Sequence, residues 1–248
     1  MRAKPKRMKE SEKKNPIYLI LTLVFLFGII YSGYKIIIWH FENVKANEVL
    51  EEISKNVTVD DNNETKIDFK SIKEQYENVV GWLKVEGTAI DHPVVQTIDN
   101  DYYLNHNINK TENSAGWIFA DCENKLDGTD KNMIIYGHNR RDGSMFSTLK
   151  DTLNSNWYND ANNRYVTFTT EQGETKYEVF SIYQVENEEY YLKKSFTAQT
   201  FIDFIKKIKQ RSVKNFDTEV TENDSILTLS TCADNNNYRV VLHAKKIQ

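Results

Sequence analysis

From Ile17 to Tyr34 the chain reads IYLILTLVFLFGIIYSGY without one charged side chain, and after Lys35 it continues Ile36-Ile-Ile-Trp39. A run this apolar has few ways to fold. Hydrocarbon holds no water to bond the backbone, so a lone segment must satisfy its own N–H and C=O groups as a helix. At about 1.5 Å per residue, 17–39 spans roughly 35 Å, enough for a hydrocarbon core of about 30 Å. Lys35 lies near the far end, where its ammonium reaches the headgroups, and Tyr31, Tyr34 and Trp39 suit an interface belt. A cleaved signal peptide has a shorter apolar stretch followed by small residues; this run is long and no Ala-x-Ala follows it. The segment therefore reads as an uncleaved membrane anchor.

Charge orients it. Residues 1–16 carry seven Lys/Arg against Glu10 and Glu12, a net of +5, in a chain whose total is −4, which leaves about −9 on the remainder. The basic tail stays cytoplasmic by the positive-inside rule, so residues 40–248 face outward. An acidic external part lacks the basic face that nucleic-acid binding requires. Outside the cytoplasm disulfides are permitted, so a pairing of the only two cysteines, Cys122 and Cys232, is one reading of them.

Periodicity organises the external part. His40 to Val57 places Phe41, Val44, Val49, Leu50 and Ile53 at helical spacing, and the polar, acidic stretch Thr58–Thr65 reads as a linker. Asp68 is a candidate N-cap for a helix from Phe69 to about Val79. Short strand patterns follow: Trp82–Glu86, Ala89–Asp91, Pro93–Gln96, Gly116–Ala120, Asn132–Tyr136, Arg164–Thr169, Thr175–Tyr183, Ile226–Leu229 and Tyr238–His243. Glu171-Gln-Gly-Glu is a hairpin signal, and Thr197–Arg211 has Phe201, Phe204, Ile205 and Ile208 on one helical face. The expected class is mainly β (α+β): a many-stranded sheet or barrel with helices at its start and in one late insertion.

Two strands end in residues that carry chemistry. Ile226-Leu-Thr-Leu-Ser-Thr-Cys232 presents a thiol where an apolar strand runs out, and Arg239 opens the next strand. Asn132-Met-Ile-Ile-Tyr-Gly-His138 presents an imidazole in the same way, ahead of a polar loop containing Gly143. A nearby cation lowers the pKa of a thiol from about 8.5 and makes it a better nucleophile near neutrality. Imidazole can pass a proton to a leaving amine, and a guanidinium, always protonated, can bond a growing oxyanion. Zinc is the rival use of Cys and His, but the five histidines form no HxxxH or HExxH and there is no CxxC. No metal or cofactor is expected.

With these residues in place the chain resembles a known family. Thr228-Leu-Ser-Thr-Cys232 followed by Arg239 is similar to the TLxTC…R signature of the sortases. Tyr136-Gly-His138 with Met145-Phe146, Trp82–Gln96, Asn100-Asp-Tyr-Tyr-Leu104 and Gly116–Asp121 are similar to segments of class B sortases. The likeness runs from about Phe69 to the C-terminus, and the late insertion, roughly 187–217, is a further class B feature.

The resemblance implies a closed eight-stranded β-barrel with N-terminal helices and a late helical insertion, behind one transmembrane helix. The implied segments are a cytoplasmic tail (1–16), an anchor (17–39), a helical stalk and linker (40–67) and an extracytoplasmic catalytic domain (68–248). It implies a cysteine transpeptidase at a Gram-positive cell surface. Cys232 would attack the Thr carbonyl of a C-terminal sorting signal on a secreted protein, and a peptidoglycan-precursor amine would resolve the thioacyl intermediate. His138 would be the acid/base and Arg239 the oxyanion and substrate clamp. Asn100, Leu104, Tyr191, Leu192 and Ser230 would line the groove, and Asp234 would orient His138 or Arg239. The loop between Cys232 and Arg239 is short, with six intervening residues, and Cys122 stands where the family pattern leads one to expect an aromatic. A thiol hydrolase on the same scaffold and a catalytically silent anchored binding module are the alternatives.

Overall fold

A computed structural model describes residues 16–59, 65–140, 142–186, 188–232 and 238–247. The chain divides into two compact units, residues 1–41 and 42–248. Helix α1 (Pro16–Ser54) begins in the first. Ile17, Phe25, Phe27 and Ile30 there are more than half exposed, and α1 is, by length and composition, the one helix among the described residues able to cross a membrane. The expected helix over His40–Val57 is the second half of this same element. It buries Ala46 and Ile53 in the core of the second unit.

The second unit continues with a small antiparallel pair, β1 (Val57–Val59) and β2 (Thr65–Ile67), which takes Thr58, Val59 and Thr65 from the stretch expected to be linker. Helix α2 (Phe69–Gln75) is capped by Asp68, whose carboxylate accepts the Ser71 N–H at 3.1 Å. It stops four residues short of the expected end. Val79 and Val80 are β-branched, a poor fit to a helix and a good one to a pleat, and they open β3 (Val79–Val85). Strand β4 (Asp91–Val95) follows, then β5, which is only Phe119–Ala120. The longer expected strand from Gly116 fails for a local reason: Trp117 N–H goes to Tyr103 O at 2.9 Å instead of to a ladder.

Strand β6 (Asn132–Gly137) leads through a short helix α3 (Ser155–Tyr158) to β7 (Tyr165–Thr170) and β8 (Gly173–Glu186). Helix α4 (Ala198–Arg211) starts at Thr197 in a capping box with Thr200. It precedes β9 (Ile226–Cys232) and β10 (Tyr238–Lys246). Eight strands close in the order β10-β8-β7-β3-β4-β5-β6-β9. The barrel implied by the resemblance is thus the fold.

Closure leaves no open edge. Leu227 and Leu229 of β9, Met133 and Ile135 of β6 and Val240 and Leu242 of β10 fill the barrel. On the outer face Ile226 of β9 and Val241 of β10 pack under Phe201, Phe204, Ile205 and Ile208 of α4. Burying each such side chain contributes about 1.5–3 kcal/mol, so α4 is fixed to the barrel wall.

Two pairings, β4 with β5 and β6 with β9, are parallel; the rest are antiparallel. Parallel neighbours need long crossovers, and here the crossovers decide where chemistry gathers. Strands β6 and β9 finish at the same rim. Strand β8 also finishes there and β10 starts there, since Tyr238 pairs Glu186. The 96–118 crossover between β4 and β5 supplies residues to this rim.

Candidate active site

At that rim the ladders align the three residues singled out by sequence. Arg239 on β10 is the direct cross-strand partner of Cys232 on β9. On the other side of β9, Gly137 of β6 pairs Thr231, so the next residue along β6, His138, comes level with Cys232. In the backbone register, β9 thus brings position 232 between Arg239 and His138. Side chains alternate along a strand. Ile226 and Ser230, which alternate with the barrel-filling Leu227 and Leu229, lie on the outer face of β9 beneath the insertion.

A cleft of about 300 Å³ opens on this face, lined by Asn100, Leu104, Phe119, Tyr136, Gly137, His138, Glu188, Glu189, Tyr191, Leu192, Ser230, Thr231 and Arg239. All five expected groove residues are among them, together with His138 and Arg239. Asn100 and Leu104 arrive on the 96–118 crossover, Leu104 closing the 3-10 turn Tyr102–Leu104. Tyr191 and Leu192 arrive on the 3-10 turn Tyr190–Leu192 that follows β8. Tyr191 is buried, and its hydroxyl hydrogen-bonds Ser230 Oγ at 3.0 Å. Asn132 Nδ2 donates to Lys193 O at 2.9 Å and holds the far end of that turn. A larger cavity on the barrel, about 640 Å³, contains neither His138 nor Arg239.

His138 is half-buried, and its Nε2 lies 2.7 Å from Leu104 O. A carbonyl can only accept, so Nε2 carries the hydrogen and, in the neutral ring, Nδ1 holds the lone pair. Burial, with help from the Arg140 and Arg239 charges, pushes the imidazole pKa below its ordinary value against the Leu104 bond. The resting ring is thus neutral at neutral pH and able to take a proton. The loop after it is tied back by Phe146 N–H to His138 O at 3.0 Å. Arg140 is buried and salt-bridged to Asp142 at 3.2 Å, with Asn43 of α1 as a further partner.

Among the described residues no His/Cys/Asp/Glu group has the arrangement of a metal site. Cys122 carries a free thiol whose pKa burial and the neighbouring Asp121 charge push up, the reverse of nucleophile activation. Asp234 lies outside the described residues. Phe119, Tyr136, Glu188 and Glu189 are cleft residues that sequence reasoning missed. Both aromatics look like ordinary strand interior, and the glutamates reach the cleft only because the loop after β8 folds over the rim.

Residues 83–247 match the family described as the sortase domain. Sortase B of Listeria monocytogenes serovar 1/2a is 38% identical over 239 residues, covering 92% of this chain and 95% of that protein. The chain belongs to the sortase family. Its branch is class B: the crystal structure of Clostridium perfringens sortase B superposes with a TM-score of 0.69 at 40% identity, covering 73% of this chain and all of that one. A sortase B crystallised with a triglycine peptide is 34% identical, with a TM-score of 0.68, covering 73% of this chain and 85% of that one. This sortase is accordingly a cysteine transpeptidase, an enzyme of surface-protein anchoring that acts on sorting signals and an amine nucleophile.

Proposed function

We propose that this sortase cleaves a C-terminal sorting signal after its Thr and transfers the client protein to a peptidoglycan-precursor amine. Cys232 is the nucleophile, His138 the acid/base and Arg239 the oxyanion clamp. The observation that carries this reading is the ladder register, with Arg239 opposite Cys232 and β6 ending beside it at His138. Proton transfer from Cys232 to His138 gives a thiolate, which attacks the Thr carbonyl carbon. Arg239 bonds the resulting oxyanion. The imidazolium gives its proton to the departing amine, the C–N bond breaks, and a thioester remains. The incoming amine then attacks the thioester, its proton passes to His138, and the thiolate leaves as a new amide forms.

Asn100, Leu104, Tyr191, Leu192 and Ser230 hold the signal in the cleft. The triglycine bound to a related sortase B supports an N-terminal glycine-type amine as acceptor. Residues 1–16 form the cytoplasmic tail, 17–39 the single-pass anchor, 40–67 the stalk and linker, and 68–248 the extracellular catalytic domain. The apolar exposure of α1 and the basic tail support that placement. In a peptide-library assay built on Asn-Pro-x-Thr-Asn, the intact chain releases the segment after Thr, forms an amide when a glycine amine is added, and loses both activities as Cys232→Ala. Unchanged turnover in that variant would overturn the assignment.

A further inference from the structure

Directly behind the cleft lies a carboxylate that the proposed reaction does not use. Asp121 follows β5, is 1% exposed, and has both oxygens fully engaged. Its Oδ2 accepts the Tyr136 hydroxyl at 2.8 Å and Asn100 Nδ2 at 3.1 Å. Its Oδ1 accepts Lys194 Nζ at 2.8 Å and the Glu123 N–H at 3.0 Å. Four donors fill the acceptor capacity of one carboxylate. Burial pushes the Asp121 pKa up, but Lys194, the Glu123 N–H and the Tyr136 hydroxyl together hold it below the ordinary value, so the group stays charged.

Three of these donors belong to three different walls of the cleft. Asn100 stands on the β4–β5 crossover, and its Oδ1 also takes the Cys122 N–H at 2.8 Å. Tyr136 is on β6, two residues before His138 and on the same strand face. Lys194 follows the turn that carries Tyr191 and Leu192. Among the described residues no backbone ladder joins these segments to one another across the cleft. A buried charge with directed partners is suited to the task, because charge-assisted bonds are short and depend steeply on geometry.

We propose that Asp121 is a positioning residue that locks the insertion to the barrel rim and so sets the width of the sorting-signal groove. The proposal rests on the cleft being that groove. It separates groove binding from nucleophile chemistry, because Asp121 engages the walls and not the reacting residues.

The test uses the full chain in detergent, the best-cleaved library peptide, and a small thiol alkylating agent that needs no groove. In Asp121→Asn, KM for the peptide rises about tenfold while kcat changes little, as loss of a charged hydrogen-bond hub predicts. The alkylation rate of Cys232 stays as in the parent. Lys194→Met, at a residue reached by solvent, gives a smaller effect of the same kind and covers the case in which Asp121→Asn does not fold. The double variant is no worse than Asp121→Asn alone. Parent-like KM in both single variants, additive effects, or alkylation falling in step with peptide turnover would each overturn the proposal. Leu104→Ala run in parallel separates the two layers. If it too leaves KM unchanged, the groove assignment has failed; if it raises KM while the Asp121 and Lys194 variants do not, only the role of Asp121 has.

Discussion

Arg239 works on two neighbours through one charge. It lies opposite Cys232, where in the proposed reaction it supplies donors for the oxyanion, and beside His138 its charge adds to burial in disfavouring the imidazolium. The two effects are separable by substitution. Arg239→Ala removes both, so kcat falls by about 10²–10³, the usual loss for one oxyanion donor. The His138 pKa then rises toward its ordinary value, because a cation no longer opposes protonation. Arg239→Lys keeps the charge and loses the planar fork, so kcat falls while the His138 titration stays depressed. An imidazole NMR titration beside steady-state rates reads both. The placement of Arg239 and His138 at strand ends was legible in the sequence because each interrupts an apolar pattern there. Asp121 was not: the letter D after a strand looks like any turn residue, and only the converging donors reveal it.

The elements at the rim are built from connections more than from strands. Gly116 on the β4–β5 crossover adopts φ +59, and a Cβ there would meet Tyr103 O at 2.5 Å and the His138 ring at 2.9 Å. Gly143, in the loop after His138, has φ +89 but open space around it. Left-handed backbone costs a non-glycine residue about 1–2 kcal/mol, so Gly143→Ala lowers thermal stability modestly and leaves kcat/KM near that of the parent. Gly116→Ala carries the same backbone strain plus a collision with the His138 ring, and with His138 as the proposed acid/base it loses most of its kcat/KM as well as more stability. Paired melting curves and rates check the contrast, and equal behaviour of the two variants would refute it. Strand existence was legible here from alternation, and α4 from its apolar stripe and cap. The truncations of α2 and β5 were not, because they depend on which partner the backbone finds. The pairing of β1 and β2 lay partly in residues that look like linker.

On the scale of the molecule the barrel buries two histidines without charging them. His92 is held near pKa 4 and His243 near 3, both chiefly by burial. His243 bridges Tyr183 and Thr228 at 2.9 Å each, inside the layer between barrel and α4. Their folded pKa values lie below the unfolded value, so the unfolded chain binds more protons between about pH 6.5 and 4. Stability is therefore full above about pH 6.5 and declines as pH falls, with a slope of about two protons per unfolding event. Urea unfolding from pH 7.5 to 4.5 checks this, and a flat profile would contradict it. Periodicity gave no hint of closure, since it shows which face is apolar and not which strand is the neighbour. The resemblance supplied that knowledge.

The parallel contact of β6 with β9 also has a temporal side. His138 and Cys232 are 94 residues apart in the chain. Non-local pairings of this kind form late, after the entropy of closing a long loop has been overcome. Until β9 and β10 dock, the imidazole at the end of β6 stands without its proposed partner. With the roles proposed above, reactivity toward peptides begins only when β9 and β10 dock, so the order of folding itself acts as a safety catch.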